Sequence, residues 1–351
     1  MPKGASLFLL LCDKAEGSTM KENKTMYLET GSVDPAYNLA FEEFILQNRK
    51  DRPYLLLWQN DNTIVIGQNQ NAEAEIDRPF VEAHGIHVVR RTTGGGAVYH
   101  DLGNLNYSFI TDVEHAETIT YQQFTRPVVE ALQGLGLQAE ASGRNDILVE
   151  GRKVSGTAQR LLGKRVLHHG TLLFDSNPDM IAGALRADPI KFQSKSTQSV
   201  RTRVGNIRSF LKKDMELPAF WEYLKTSFGG GELEPGRLTP AELEQVRQLK
   251  TEKYDTWEWN FGRSPQFTVT NKRKWDGGIL EIGVQVAAGR ISEIRFYGDF
   301  LSLSPLDTLV QALQGCPFRR EDVAAVLDRA PLQTYFGSIT ETEVLDTMFA
   351  V

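Results

Sequence analysis

Cysteine is nearly missing: Cys12 and Cys316 are the two in 351 residues. Two thiols that far apart exclude a disulfide framework and a cysteine-rich zinc site, and they fit a reducing compartment. A cytoplasmic location is therefore expected. Long apolar runs are missing as well. "SLFLLLC" (Ser6 to Cys12) falls well short of the roughly 20 residues of a spanning helix. It follows one lysine, and Leu9, Leu10 and Leu11 stand where a signal peptidase needs small residues, so neither leader nor anchor is expected. Polar "DKAEGSTMKENK" comes next, and residues 1–25 are expected to be a tail or an upstream start. Positive charge is in deficit, with 39 Lys+Arg against 45 Asp+Glu and a net charge of −6. No basic stripe runs along the chain, so a dedicated nucleic-acid binder is excluded and any anion site must be local. A Gly-Lys-Ser/Thr phosphate loop is also lacking.

What is present is ordinary globular composition, 41% hydrophobic and 24% charged. The length exceeds one core, so two domains are expected, 26–262 and 263–351. Asp34 and Pro35 are a helix start, "DPAYNLAFEEFILQNR". "PYLLLWQN" and "TIVIGQNQ" flank Asp61-Asn62 and read as a strand pair. "AEAEIDRPFVEAHG" is helical, "IHVVRRT" a strand, and "TYQQFTRPVVEALQGLG" a helix that Gly136 stops. "NDILVEG", "RKVSGTAQRLL" and "RVLHHGTLLFD", turning at Glu150-Gly151 and Gly163-Lys164, read as an antiparallel meander. Helices near 177–186, 218–228 and 240–253 complete the larger unit. The stretch Trp257–Phe267 reads as an irregular seam. Beyond it lie a three-strand meander and helices around 305–314, 320–330 and 340–350. The class is mixed α/β: a large mixed sheet followed by a small α+β unit.

The densest stretch is "VVRRTTGGGAVYHDLGNLNYSF", residues 88–109. Gly94, Gly95 and Gly96 carry a large entropy penalty, and in a strand context they mark a tight turn or a close approach to the backbone. A dinucleotide fingerprint needs a helix after its glycines, whereas "AVYH" alternates like a strand. A glycine turn joining two strands remains, with exposed N–H groups and with Arg90 and Arg91 beside it, a concavity fit for phosphate. The bland alternative is a plain turn with a solvated arginine pair. In "DILVEGRKVSGTAQRLL", simple alternation places Lys153, Ser155 and Thr157 on one face and Val154, Gly156 and Ala158 on the other. A lysine that merely blunts a sheet edge is the alternative there. His100, His168 and His169 lack a third ligand at metal spacing and read as buttresses.

In this order and spacing, "RRTTGGGAVYHDLGNLNYSF", "NDILVEGRKVSGTAQR" and "HHGTLLF", with "SVRTRVGNI" and "WEWNFG", closely resemble the lipoate–protein ligase A family. The resemblance covers about residues 26 to 351. It implies ATP-dependent activation of lipoate to lipoyl-AMP, and transfer of the lipoyl group to a carrier lysine. The implied carriers are E2 subunits of 2-oxoacid dehydrogenases and the glycine-cleavage H protein. By position, the resemblance assigns Arg91 and the backbone of Gly96, Ala97, Val98 and Tyr99 to nucleotide binding, and Lys153 to both phosphate and lipoate carboxylate. Thr93 and Arg160 fall to the carboxylate, and Asn145 and Asp146 to adenylate or Mg²⁺. A biotin ligase is disfavoured because its nucleotide loop is built around Gly-Arg-Gly. A cysteine-dependent acyl transferase is hard to build when Cys12 lies in the tail and Cys316 in the accessory unit. An ATP-independent octanoyl- or lipoyl-transferase of the same superfamily and a non-catalytic lipoyl-AMP binder are the remaining alternatives.

Overall fold

The computed structural model describes residues 24–113, 119–143, 145–186, 203–229, 233–261, 269–287 and 289–350. In chain order the first strands are β1 (Met26–Glu29), β2 (Tyr54–Trp58), β3 (Thr63–Ile66), β4 (His87–Arg90), β5 (Val98–His100) and β6 (Asn104–Asp112). Next come β7 (Ala139–Ser142), β8 (Asp146–Val149), β9 (Arg152–Leu162), β10 (Arg165–Leu173) and β11 (Glu234–Pro235). Eight of them form a mixed sheet in the order β11-β1-β2-β6-β10-β9-β8-β7. A second, three-stranded sheet runs β4-β3-β5.

Helix Pro35–Asn48 covers one face of the large sheet. Its start is set by Asp34, which accepts from the N–H groups of Ala36 and Tyr37 at 2.9 and 3.3 Å, with Pro35 in the first turn. Helices Tyr121–Gly134 and Leu217–Gly229 cover the other face with Phe124, Val128, Phe220, Leu224 and Phe228. Because both faces are covered, β2 reads as an unbroken apolar run, and all of Tyr54–Trp58 is buried. The helix Pro35–Asn48 is itself surrounded, and it carries Glu42 and Glu43 inward at 2% exposure each.

Four expectations need correction. β2 and β3 do not pair. β2 lies between β1 and β6, while β3 joins the smaller sheet, because each run is buried throughout and finds its strand partners on separate sheets. The four residues Gln59–Asn62 make that change of sheet, with Asn62 at a φ of 39°. Nor do β4 and β5 neighbour each other across the glycines. β3 sits between them, parallel to β4 and antiparallel to β5, so the glycine segment is a crossover. The start of the expected seam is ordered. Trp257–Asn260 is a helical turn capped by Thr256, and Trp259 Nε1 donates to Arg90 O at 2.8 Å. Residues 262–268 lie outside the described residues. The fourth correction, on β9, belongs to the site below.

Strands β12 (Val269–Trp275), β13 (Gly278–Ala287) and β14 (Arg290–Gly298) form the expected meander. They pack on helices Asp307–Leu313, Arg320–Leu327, Leu332–Phe336 and Glu341–Met348 around Leu280, Ile294, Phe296, Phe336 and Met348. The chain leaving β14 then returns to the first part of the molecule. Phe300 O accepts from Gly95 N–H at 3.1 Å, Leu303 O from Leu161 N–H at 2.6 Å, and Ser302 Oγ from Asn69 Nδ2 at 2.9 Å.

This contact accounts for one of the three glycines. A Cβ on Gly94 would come within 2.7 Å of both Phe300 O and Ser302 N. Gly94→Ala should therefore destabilise the fold by about 1–3 kcal/mol as an overpacked site. Gly96→Ala should cost far less, since its Cβ would meet nothing closer than Asp299 Cβ at 3.9 Å. Urea unfolding of the two variants side by side measures the difference, and equal midpoints would contradict it.

Candidate active site

A cavity of about 100 Å³ opens between the two sheets. Leu39, Trp58, Val65 and Ala158 give it apolar walls, while Gly96, Ala97, Val98 and His100 line it from the glycine segment. Asn145 and Lys153 enter from the β8–β9 side, and His169 and Thr171 from β10.

Lys153 arrives there by a bulge. Ile147 pairs with Ser155 and Leu148 with Lys153, which leaves Val154 as one extra residue on β9. An extra residue reverses the parity of everything beyond it. Simple alternation thus fails: Lys153 shares its face with Gly156, and a Cβ on Gly156 would lie 3.1 Å from Lys153 Nζ. Ser155 is turned fully into the core, and Thr157 Oγ1 donates to Asn145 O at 3.2 Å. Lys153 Nζ pairs with Asp146 Oδ1 at 2.7 Å, both side chains being about a third exposed. At that exposure the pair adds little stability, and its effect is to hold the ammonium in place.

The arginine pair is spent on backbone rather than offered to solvent. Arg90 donates to the carbonyls of Gly67, Gln68, Gln70, Trp259 and Asn260. Arg91 donates to Val65 O, Gly94 O and Gly96 O and, through Nε, to Thr93 Oγ1 at 2.9 Å. Burial pushes both guanidinium groups down to about 10, which leaves them charged at neutral pH. Arg91 holds the glycine turn from behind. Gly95 sits at a φ of 89°, open to glycine at little strain. Gly67 is equally constrained, since a Cβ there would lie 2.0 Å from Gly95 O.

Behind Arg91 runs a hydrogen-bond chain across the fold. Thr93 Oγ1 lies 2.8 Å from His169 Nε2, and His169 Nδ1 lies 2.9 Å from Glu42 Oε1. Glu42 also accepts from Ser108 Oγ at 2.5 Å, and Ser108 accepts from Trp58 Nε1 at 2.9 Å. Proton counting fixes the two ends of the chain: Arg91 Nε–H donates to Thr93 Oγ1, and His169 Nδ1–H donates to the Glu42 carboxylate, which only accepts. His169 and Thr93 thereby link the buried guanidinium to the buried carboxylate.

The remaining expected residues are placed as follows. Thr93 is fully buried and occupied by Arg91 and His169, so it positions the turn instead of facing a ligand carboxylate. Tyr99 turns away from the cavity, its hydroxyl donating to Asn62 Oδ1 at 3.0 Å, while Val98 and His100 face in. Arg160 stands seven residues beyond Lys153 on β9, roughly 20 Å at strand rise, and faces Glu43 at 3.6 Å. Lys153 and Arg160 therefore do not meet at one carboxylate. Asn145 donates to Thr157 O at 2.7 Å, and Asp146 is held by Lys153. Among the described residues no three metal-ligating side chains cluster. The acidic pair inside the apolar helix "NLAFEEF" was the one sequence signal for Glu42. Nothing local marked Asn38, Asn60 or Gly67.

Two predictions follow from this geometry. Thr93→Val keeps the shape but strands Arg91 Nε and His169 Nε2, at about 1–3 kcal/mol, whereas Thr93→Ser should fold as the parent does. Combined with Glu42→Gln, the Thr93→Val loss should fall short of the sum by about 0.5–3 kcal/mol, since both cut one chain. A chemical-denaturation double-mutant cycle reads this, and strict additivity would refute the coupling. The second concerns acid. Burial lowers His100 from 6.5 to about 3 and holds His168 well below 6.5. The unfolded chain binds protons that the folded chain refuses, so this stability is complete above pH 6.5 and drains as pH falls toward 3. At pH 5 His100 alone should cost on the order of 2 kcal/mol. Urea midpoints at pH 7 and pH 5 that coincide would contradict it.

Residues 34–229 match the lipoyl protein ligase A/B catalytic domain, and residues 264–348 the bacterial lipoate protein ligase C-terminus. The chain is 41% identical over 318 residues to lipoate–protein ligase 1 of Staphylococcus aureus, covering 90% of this chain and 97% of the relative. It is 40% identical over 321 residues to lipoate-protein ligase LplJ of Bacillus subtilis, covering 90% and 97%. Among solved structures, P. falciparum LipL1 in complex with lipoate superposes with a TM-score of 0.72 at 26% identity, covering 87% of this chain and 94% of that one. Lipoate-protein ligase A bound with ATP superposes at 0.60 with 28% identity, covering 69% and 99%. With both family domains matched in order and relatives at 40% identity across nine-tenths of its length, the chain belongs to the lipoate–protein ligase family.

Proposed function

We propose that the chain activates lipoate with MgATP to lipoyl-AMP and transfers the lipoyl group to a lysine on carrier domains. The observation that carries this reading is Lys153, an ammonium fixed by Asp146 at 2.7 Å beside the open backbone of Gly96–Val98 in one cavity. Three N–H donors sit on Nζ, and Asp146 uses one. Two are left for a phosphate oxygen and a carboxylate oxygen. When the carboxylate attacks the α-phosphorus, a P–O bond forms and pyrophosphate leaves. Two anions approach in that step, and a fixed cation between them lowers its barrier. Gly96 lets phosphate reach the main chain, and the buried charge of Arg91 lies directly behind the turn. The apolar walls of Leu39, Trp58, Val65 and Ala158 suit the acyl chain.

Asn145 and Asp146 would hold Mg²⁺ together with the nucleotide phosphates. A magnesium ion that keeps most of its waters needs no more than one or two protein oxygens. Bound there, it would neutralise phosphate charge. E2 lipoyl domains and the glycine-cleavage H protein are the proposed carriers. A related archaeal bipartite lipoate protein ligase has been solved as a lipoylation system with its E2 lipoyl domain, which supports the first. Residues 26–262 would carry the catalytic site, and 263–351 would be accessory to it. No described helix is long and apolar enough to cross a membrane, and neither membrane nor nucleic acid enters the reading.

Lys153→Met should slow lipoyl-AMP formation by about 10² to 10³, the loss seen when one preorganised electrostatic group is removed. Pyrophosphate release from lipoate and MgATP measures it. The melting transition should hardly move. Mass spectrometry of apo carriers incubated with the wild-type chain identifies the acceptors. Acylation without ATP, or unaltered pyrophosphate release by Lys153→Met, would overturn the reading.

A further inference from the structure

Two polar groups in the cavity wall have no partner among the described residues. His100 is buried, lines the cavity, and its Nε2 makes no hydrogen bond. Its tautomer follows from backbone carbonyls, which only accept. Asn38 Nδ2 lies 3.1 Å from Ser32 O and 2.6 Å from Gln59 O, so that atom is the amide nitrogen. The same nitrogen lies 2.9 Å from Asn60, so the facing atom of Asn60 is Oδ1. The other end of Asn60 is then Nδ2, which donates to His100 Nδ1 at 3.1 Å. With Nδ1 accepting, the single proton of the neutral ring is on Nε2. Burial, with Arg91 and His169 nearby, keeps the ring neutral by lowering it to about 3. An N–H donor left unpaired in a buried wall is a standing cost of folding and calls for a ligand.

The position of His100 indicates which ligand atom. Trp58, whose ring lies edge-on to His100 at 6.4 Å, is paired with Asn106, and Asn106 with Thr171. Thr171 Oγ1 in turn accepts from Gly156 N–H at 3.2 Å, and Gly156 is the residue over which the Lys153 ammonium lies. One row of the sheet therefore joins His100 and Lys153 to the same stretch of cavity. Asn106 adds a second unpaired donor there: its Oδ1 accepts from Asn104 at 3.0 Å, and its buried Nδ2 is free of partners. A neutral donor gains most from an oxygen that becomes charged during the reaction.

We propose that His100 Nε2–H donates to the acyl oxygen of the substrate and is a catalytic hydrogen-bond donor for the transfer step, a role that rests on the ligase reading above. In that step the carrier amine attacks the acyl carbon of lipoyl-AMP, and the carbonyl oxygen takes up the electron pair next to His100. The amide C–N bond then stands, the acyl C–O bond to phosphate breaks, AMP leaves with that electron pair, and the amine proton passes to solvent. Asn38 and Asn60 are positioning residues that hold the ring in the donor tautomer.

The test supplies lipoyl-AMP and an apo carrier to the full-length chain in single turnover, with pyrophosphate release followed separately. His100→Phe should slow transfer by about 10², Asn106 limiting the loss, with the carrier concentration for half-maximal rate unchanged. His100→Gln should recover part of the rate through its amide N–H. Transfer by folded His100→Phe within threefold of wild type would overturn the proposal. Should that variant fail to fold, ¹⁵N spectra of wild-type histidines decide. A protonated Nε2 on His100 at pH 7 that shifts on binding a non-hydrolysable acyl-adenylate supports the role. A protonated Nδ1, or an Nε2 that does not respond, refutes it. A wild-type chain that neither releases pyrophosphate nor acylates a carrier would instead fail the ligase reading, an outcome separate from these.

Discussion

A cation and an anion buried together, but not touching, govern this molecule. Arg91 and Glu42 are each almost fully excluded from water, and His169 and Thr93 connect them through hydrogen bonds of 2.8 to 2.9 Å. Desolvating either charge alone would cost several kcal/mol. Each is tolerated because every guanidinium nitrogen and both carboxylate oxygens have hydrogen-bond partners. The guanidinium spends its fork on carbonyls of β3 and the glycine turn, and the carboxylate accepts from Ser108 and His169. A half-satisfied version would be worse than an apolar core, so the helix Pro35–Asn48, strands β6 and β10, and the glycine segment must all be in register at once.

That requirement explains how a loop of three glycines becomes a fixed surface. From behind, Arg91 grips Gly94 O and Gly96 O; from the side, Phe300 O takes the Gly95 N–H. The glycines divide the work. Gly94 is bare so that the chain after β14 can pass, Gly95 so that the backbone can adopt a positive φ, and Gly96 faces open space at the cavity. The opening in front of the turn faces Lys153, which a single bulge has rotated onto the same side of the sheet. Positive charge thus stands on two sides of the cavity, with the apolar walls below.

Much of this was legible in the chain. The Asp34-Pro35 helix start, the meander of β8, β9 and β10, the three-strand unit after residue 268 and the mixed-sheet class all rest on local chemistry: capping, two-residue turns and alternation. The glycine segment was marked by composition, because bare backbone beside cationic side chains is uncommon without a purpose, while Lys153 was assigned a role only by the family resemblance. Apart from the helical turn Trp257–Asn260, the misreadings share one feature, a dependence on long-range pairing. Two apolar runs four residues apart looked like a hairpin, yet they serve different sheets.

Single-residue register was equally hidden. Alternation along β9 assigned Ser155 to the face of Lys153, and the extra residue Val154 reverses it, a choice made by the pairing with β8. Arg90 and Arg91 looked like ligands for an anion because nothing in their neighbours reveals the carbonyls of Gly67, Gln70 and Trp259 waiting to be capped. The linkage of Asn38 to Asn60 to His100, across 62 positions, is absent from any local pattern and is visible only once a helix, a loop and a strand converge. By itself the sequence determined most of the helices, strands and turns, since short-range sterics and capping decide those. It also singled out the glycine turn, and through the family resemblance Lys153, as candidates for the chemistry. The tertiary structure alone decided which side chains face the cavity, which protons point into it, and which charges are spent holding it open. Those outcomes depend on strand register and on the burial of polar groups that must find partners far along the chain.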